Sequence, residues 1–131
     1  MKQVIKQAIR AAAHNDVPVG AVIVQNGRII ARGENQIELR GDPTLHAEIV
    51  AIRRACKKIK NKFLTDCDIF VSLEPCQMCR TAISLARIRR VYFAAPDNDR
   101  KNPWNAEIIH APEFSAQSSE LLKTFFRNKR S

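Results

Sequence analysis

Four residues in this chain have the types and the spacing to do metal chemistry: His46, Glu48, Cys76 and Cys79. Cys76-Gln77-Met78-Cys79 sets two thiols three residues apart. On a helix such a pair shares one face, and at a helix N-terminus the partial positive charge and unpaired N–H groups favour thiolate over thiol. Both sulfurs can then point at one ion. Taken alone, the pair is also compatible with a redox couple, half of a structural zinc site, or two cysteines packed in a core. A closed four-cysteine site needs a second tight knuckle, and Cys56 and Cys67 stand too far apart to form one. Cys56 falls on the apolar stripe of a predicted helix, where a free cysteine behaves as a small hydrophobe, and Cys67 falls at a strand edge. Neither is expected to bind metal.

His46-Ala47-Glu48 supplies what the cysteine pair lacks. A histidine beside an apolar helical face is commonly structural, but this one stands in the first turn of a predicted helix. Residues i and i+2 do not face each other within a helix. They converge on one site only where the chain enters the helix and both side chains reach around its open end. One imidazole and two thiolates make three protein ligands and leave the fourth tetrahedral position to water, the mark of a catalytic zinc. Zinc lowers the pKa of a bound water from about 15.7 to about 7. Glu48, near that water but not ligating the metal, can accept its proton and return it to the departing group. Without His46 two positions away, Glu48 would read as a solvated helix residue.

The elements that must position these residues are legible as patterns. Residues 3–14 put Val4, Ile5, Ala8, Ile9 and Ala12 on one helical stripe. Val19–Gln25 and Arg28–Arg32 are β-rich runs around Asn26-Gly27, a dipeptide suited to the positive φ of a tight hairpin turn, so they should pair antiparallel. Asp42-Pro43-Thr44 opens a helix, with Asp42 or Thr44 as its cap and Pro43 in its first turn. Leu45, Ile49, Ile52, Cys56 and Ile59 form its expected buried face, and Arg53, Arg54, Lys57, Lys58 and Lys60 its exposed one. Asp68–Leu73 reads as a buried strand running into Glu74-Pro75-Cys76, which starts a helix through about Arg87. Arg90–Ala95 is a further buried strand, and strand, helix and strand in this order predict a parallel βαβ unit. Glu107–Ala111 is a fifth strand candidate. Ser118 or Ser119 should cap a terminal helix with the stripe Leu121, Leu122, Phe125 and Phe126. The sum is an α/β fold, a three-layer α-β-α sandwich with a mixed central sheet of about five strands, in a single domain over residues 1–131.

Bulk properties narrow the setting. The length suits one domain with a genuine core, and 45% apolar with 27% charged residues is close to the globular average. No apolar run is long enough to cross a bilayer, and Met1–His14 lacks the apolar stretch of a signal peptide. A cytoplasmic protein without a membrane partner is expected, and in that reducing compartment cysteines serve metal binding or catalysis. Twenty-two Lys and Arg against 13 Asp and Glu give a net charge of +9. Such an excess favours a polyanionic partner, nucleic acid before an anionic membrane surface, over a merely basic soluble protein.

His46-Ala47-Glu48 followed by Pro75-Cys76-Gln77-Met78-Cys79 resembles the signature of the zinc-dependent cytidine/nucleoside deaminase superfamily. Within it the likeness is strongest to the tRNA-specific adenosine deaminases. It is carried by Asp16-Val17-Pro18-Val19-Gly20-Ala21-Val22, Asp42-Pro43-Thr44, Ser72-Leu73-Glu74-Pro75-Cys76, Ala86-Arg87-Ile88-Arg89-Arg90-Val91 and Phe125-Phe126-Arg127. The resemblance implies a cytidine deaminase-like fold, one zinc ion per chain on His46, Cys76 and Cys79, and Glu48 as the proton shuttle. It implies Asn35 as a contact to the bound nucleoside and a homodimer with RNA, the anticodon stem-loop of tRNA, lying across both subunits. The implied reaction is conversion of adenosine to inosine at the wobble position. The segment 97–105 departs from the family by being shorter. Trp104 within it is expected either to stack on a base or to anchor the loop.

Two other readings stay open. A small-molecule deaminase acting on free guanine, cytosine or a nucleoside would use the same chemistry, with the short loop shaping a different pocket. A catalytically lapsed RNA-binding module would keep zinc for structure alone. Lys123, Arg127, Lys129 and Arg130, with Arg87, Arg89 and Arg90, are the expected phosphate contacts if RNA is bound; otherwise they form a solvated tail and surface.

Overall fold

The computed structural model describes residues 1–97 and 107–130. Its elements in chain order are helix α1 (Lys2–Ala13), strands β1 (Gly20–Gln25) and β2 (Arg28–Glu34), a short helix α2 (Ile37–Arg40), helix α3 (Ala47–Ile59), strand β3 (Cys67–Leu73), helix α4 (Gln77–Leu85), strands β4 (Arg90–Ala95) and β5 (Glu107–His110), and helix α5 (Ser115–Arg130). The five strands form one sheet in the order β2-β1-β3-β4-β5. β1 runs antiparallel to β2 and to β3, while β3, β4 and β5 are parallel. α3 and α4 pack against each other and α3 covers β1 and β2, while α1 and α5 pack together against the sheet. The expected three-layer mixed-sheet architecture is the one observed.

The hairpin follows from its turn. Asn26 and Gly27 have φ of 51° and 75°, both positive, so the two-residue loop closes with the twist the flanking strands require. The helix after β2 differs from expectation at both its start and its inner face. Asp42-Pro43-Thr44 is a separate turn, in which Asp42 Oδ1 accepts hydrogen bonds from the Thr44 N–H at 2.9 Å and the Thr44 hydroxyl at 2.7 Å. α3 starts only at Ala47, with His46 at the N-cap. Its buried residues are Ala47, Glu48, Val50, Ala51 and Ala55, whereas Ile49, Ile52, Cys56 and Ile59 lie partly exposed along the flanks. The reason is close approach. A Cβ on Gly33 of β2 would overlap the Ala47 carbonyl oxygen and stand 2.6 Å from the Ala51 nitrogen, so only small residues fit between helix and strand.

The terminal helix also starts earlier than expected. A 3₁₀ turn over Pro112–Phe114 leads straight into α5 at Ser115, so Ser118 is buried inside the helix and caps nothing. Proline fixes φ near the helical value, and this suits the first turn of such a start. α2 was not foreseen. Its first turn is held by Asp16, a buried carboxylate that accepts from the Glu38 N–H at 2.7 Å and the Leu39 N–H at 3.2 Å. Gly41, in the left-handed conformation at φ 64°, ends it. Trp104 and the rest of 98–105 lie outside the described residues.

Candidate active site

Two helix N-termini meet at the carboxyl end of β3. His46 is the N-cap of α3 and Cys76 the N-cap of α4, each with extended backbone (φ −66°, ψ 155° and φ −74°, ψ 172°) and neither making a side-chain capping bond. The side chains converge on a common point between the two helix ends. Cys76 Sγ and Cys79 Sγ each lie 3.5 Å from His46 Nδ1, and the three ligand atoms all fall within 4.8 Å of one another. Among the described residues no other three histidine, cysteine or acidic side chains gather in this way. Cys56 and Cys67 stand apart, and burial pushes both their thiols up, Cys67 to about 11.

The sulfurs are prepared for a cation. The hydrogen bond from Cys79, helped by His46, pulls the Cys76 thiol down to about 3 against the opposing effect of burial. Cys79 is raised by that same hydrogen bond and by its burial. That hydrogen bond favours thiolate at Cys76 and thiol at Cys79. One nitrogen and two sulfur donors, with a thiolate already formed and the second proton open to displacement, fit zinc. Metal-free protein at neutral pH should accordingly be alkylated by iodoacetamide at half-buried Cys76 first, with Cys56 and Cys67 reacting slowly and zinc protecting Cys76. Peptide mass spectrometry reads this outcome, and equal labelling of all three would refute it.

Glu48 is 3% exposed and sits in the first turn of α3, at the wall of a cavity of about 190 Å³. Asn35, His46, Glu74 and Cys76 line the same cavity, with Val19 and Leu73 among its apolar walls. Burial pushes the Glu48 carboxyl up, while its own backbone N–H and the neighbouring imidazole of His46 pull the other way. Burial that raises a carboxyl's pKa makes it a readier proton holder, as a group that must both take and give a proton requires.

Asn35 lines the cavity and has a structural task besides. Its Oδ1 accepts from the Ala47 N–H at 2.7 Å, so it caps α3 from outside, and its Nδ2 donates to the Val17 carbonyl at 3.0 Å. Arg80 has no place in the sequence analysis, and Glu74 and Asp16 stand there only within matching stretches, with no task of their own. Glu74 stands beside Pro75-Cys76, which could have drawn attention to it; nothing in local pattern marks Arg80 or Asp16.

The basic residues are distributed differently from expectation. Arg89 and Arg90 pair with Asp68 at 3.1 and 3.4 Å, and Arg87 lies over the Phe63 ring at 4.0 Å. They stand at the opposite end of β3 from the cavity, about 20 Å along a seven-residue strand. Lys123 and Arg127 are exposed on α5; the side chains of Lys129 and Arg130 are outside the described residues. Nearer the cavity, Arg40, Arg53 and Arg54 line a groove of about 390 Å³ together with Gln36 and Leu45, the neighbours of Asn35 and His46.

The chain matches other proteins over this whole arrangement. Residues 1–95 match the cytidine and deoxycytidylate deaminase zinc-binding region. A tRNA-specific adenosine deaminase of Rickettsia felis is 47% identical over 99% of this chain and 100% of its own length. A guanine deaminase of Bacillus subtilis is 50% identical over 82 residues, which cover 63% of this chain and 53% of that protein. A solved structure from work on A-to-I editing by tRNA:A34 deaminases at the wobble position of transfer RNA superimposes with a TM-score of 0.87 at 36% identity, covering 93% of this chain and 97% of that one. With its sheet, its paired helix starts and its nitrogen-sulfur-sulfur cluster, the chain belongs to the zinc-binding cytidine and deoxycytidylate deaminase family.

Proposed function

We infer that this chain is a zinc-dependent hydrolase that converts adenosine to inosine at the wobble position of tRNA anticodons. The observation that carries the reading is one imidazole and two sulfurs gathered at a point beside a buried carboxylate, in a cavity that suits a single base. His46, Cys76 and Cys79 would hold the zinc, which when bound supplies Lewis acidity toward water. Glu48 takes the proton of the attacking water as the new C–O bond forms at C6, and hands it to ring N1. It then takes the proton of the new C6 hydroxyl and delivers it to the exocyclic amine; the C–N bond breaks as the C6 carbonyl forms, and ammonia leaves, so one water enters for each ammonia released. Asn35, with a lone pair and an N–H beyond its two backbone bonds, hydrogen-bonds the nucleoside.

A cavity of about 190 Å³ is smaller than the roughly 300–1,000 Å³ usual for a whole small ligand. It accepts a base splayed from a single-stranded loop and leaves sugar and phosphate outside, where Arg40 and Arg53 offer positive charge in a groove that Asp42 also lines and whose Arg54 pairs with Glu34 at 3.7 Å. We read the working form as a cytoplasmic homodimer with the anticodon stem-loop across both subunits; exposed Leu39 and Leu85 offer apolar surface for a second copy. No helix among the described residues is long and apolar enough to cross a membrane.

A second reading, deamination of a free base such as guanine, draws on the similarity to the guanine deaminase over 82 residues. Zinc-loaded protein given an anticodon stem-loop with adenosine at the wobble position, and separately free guanine, cytosine and adenosine, distinguishes the two. Inosine should form in the stem-loop. With about two phosphates neutralised, its apparent affinity should fall roughly tenfold between about 50 and 200 mM salt. Turnover of free guanine with the stem-loop ignored would reverse the assignment. A zinc-loaded sample inert on every substrate would leave only a binding module.

A further inference from the structure

Arg80 is 3% exposed, and a buried guanidinium needs partners for its charge and its donors. It follows Cys79 on α4, where side chains tilt back toward the helix N-terminus. From there its Nε donates to the Pro75 carbonyl at 3.0 Å and its Nη2 to Glu74 Oε2 at 2.9 Å. The other oxygen of Glu74 accepts from the Asp97 N–H at 3.0 Å, and the Glu74 backbone N–H donates to the Ala95 carbonyl at 2.8 Å. The two residues that lead into the first sulfur ligand, Glu74 and Pro75, are therefore fixed from two sides. Arg80 grips them from the helix that carries both sulfurs, and the end of β4 grips them from the sheet.

We propose that Arg80 is a positioning residue for the metal centre: by holding Glu74 and the Pro75 carbonyl it fixes the turn that presents Cys76, and so sets the zinc affinity of the site. A Glu74 carboxylate alone would neutralise the charge of Arg80, but the additional bond to Pro75 constrains the backbone one residue before the ligand. Loss of partners standing behind metal ligands typically weakens binding about 10–100-fold. The inference rests on His46, Cys76 and Cys79 holding the ion.

The test is zinc affinity by competition with a chromophoric chelator, with the visible spectrum of the cobalt(II)-substituted protein as a second readout. Both are read against the melting temperature of the metal-free protein. Arg80→Met should raise the zinc Kd about 10–100-fold and weaken the tetrahedral cobalt bands. It also strands the Glu74 carboxylate, so the pair Arg80→Met/Glu74→Gln, in which neither partner is charged, is the decisive variant. That pair should regain the melting temperature while its zinc affinity stays low. Arg80→Lys, which keeps the ion pair but cannot also bond Pro75, should fall between, and it carries the test if the methionine variants do not fold. A folded double variant, or Arg80→Lys in its place, that binds zinc as tightly as the parent would overturn the proposal and reduce Arg80 to a counter-ion. Zinc uptake by the parent reports on the ligand set and the difference between parent and variant on Arg80, so the two assignments can fail separately.

Discussion

Glu48→Ala should lower the turnover of the zinc-loaded protein by about 10²–10⁴-fold and leave its zinc content unchanged. The carboxyl lines the cavity beside His46 and Cys76 without belonging to the ligand cluster, so its removal takes a proton carrier and no ligand. Glu48→Gln separates charge from shape, since it keeps the volume and cannot accept a proton from water. It should lose as much rate as the alanine variant. The same substitution should change stability in the opposite direction. Burial raises the folded-state pKa of Glu48 above its unfolded value, so the group favours the fold while protonated and loses that contribution as pH rises through the raised pKa. Metal-free Glu48→Gln should therefore melt above the metal-free parent at neutral pH, and the difference should shrink as the buffer is made acidic. A site residue that costs stability and supplies rate is the usual trade. Full activity in Glu48→Gln would remove the carboxylate from the reaction, and a loss of zinc would show that it acts through the metal.

What the sequence makes legible depends on whether the controlling interaction is local. Asn26-Gly27 announces its hairpin because the requirement for positive φ resides in those two residues. His46 and Cys76 are recognisable because chain-entry geometry at a helix N-terminus is also local, and the ligand spacing leaves few alternatives. The inner face of α3 is not legible in this way. Periodicity counts large apolar residues and selects the stripe through Ile49, Ile52 and Cys56, but the close approach of Gly33, on another element, sets Ala47 and Ala51 against the strand. Asn35 as the external cap of α3, Asp16 as the anchor of α2 and Arg80 behind the cysteine turn all act between segments distant in sequence or across a turn. The pairing of the basic residues is likewise out of sight: Arg89 and Arg90 read as free cations until Asp68 is placed between them on the neighbouring strand.

Zinc should raise the melting temperature of the parent protein and leave that of Cys76→Ala unmoved. An ion that binds only the folded chain stabilises it by about 4 kcal/mol at a thousandfold excess over Kd, which in a domain of this size is a shift on the order of 10 °C. Cys76→Ala removes one of three donors and the thiolate already formed for the cation, and the remaining nitrogen and sulfur hold zinc far more weakly. Its metal-free melting temperature should change little, because Cys76 is half-buried and packs no core. Cys67→Ala is the matched opposite. Cys67 is fully buried among the core side chains, and its thiol is held protonated by burial, so this variant should melt lower with and without metal yet keep the whole zinc-induced shift. The crossed pattern, metal response lost with stability kept in one variant and the reverse in the other, divides the cysteines into ligand and core by thermodynamics alone. A zinc-induced shift of parental size in Cys76→Ala would mean that the ion is bound elsewhere, and the hydrolytic assignment would fall with it.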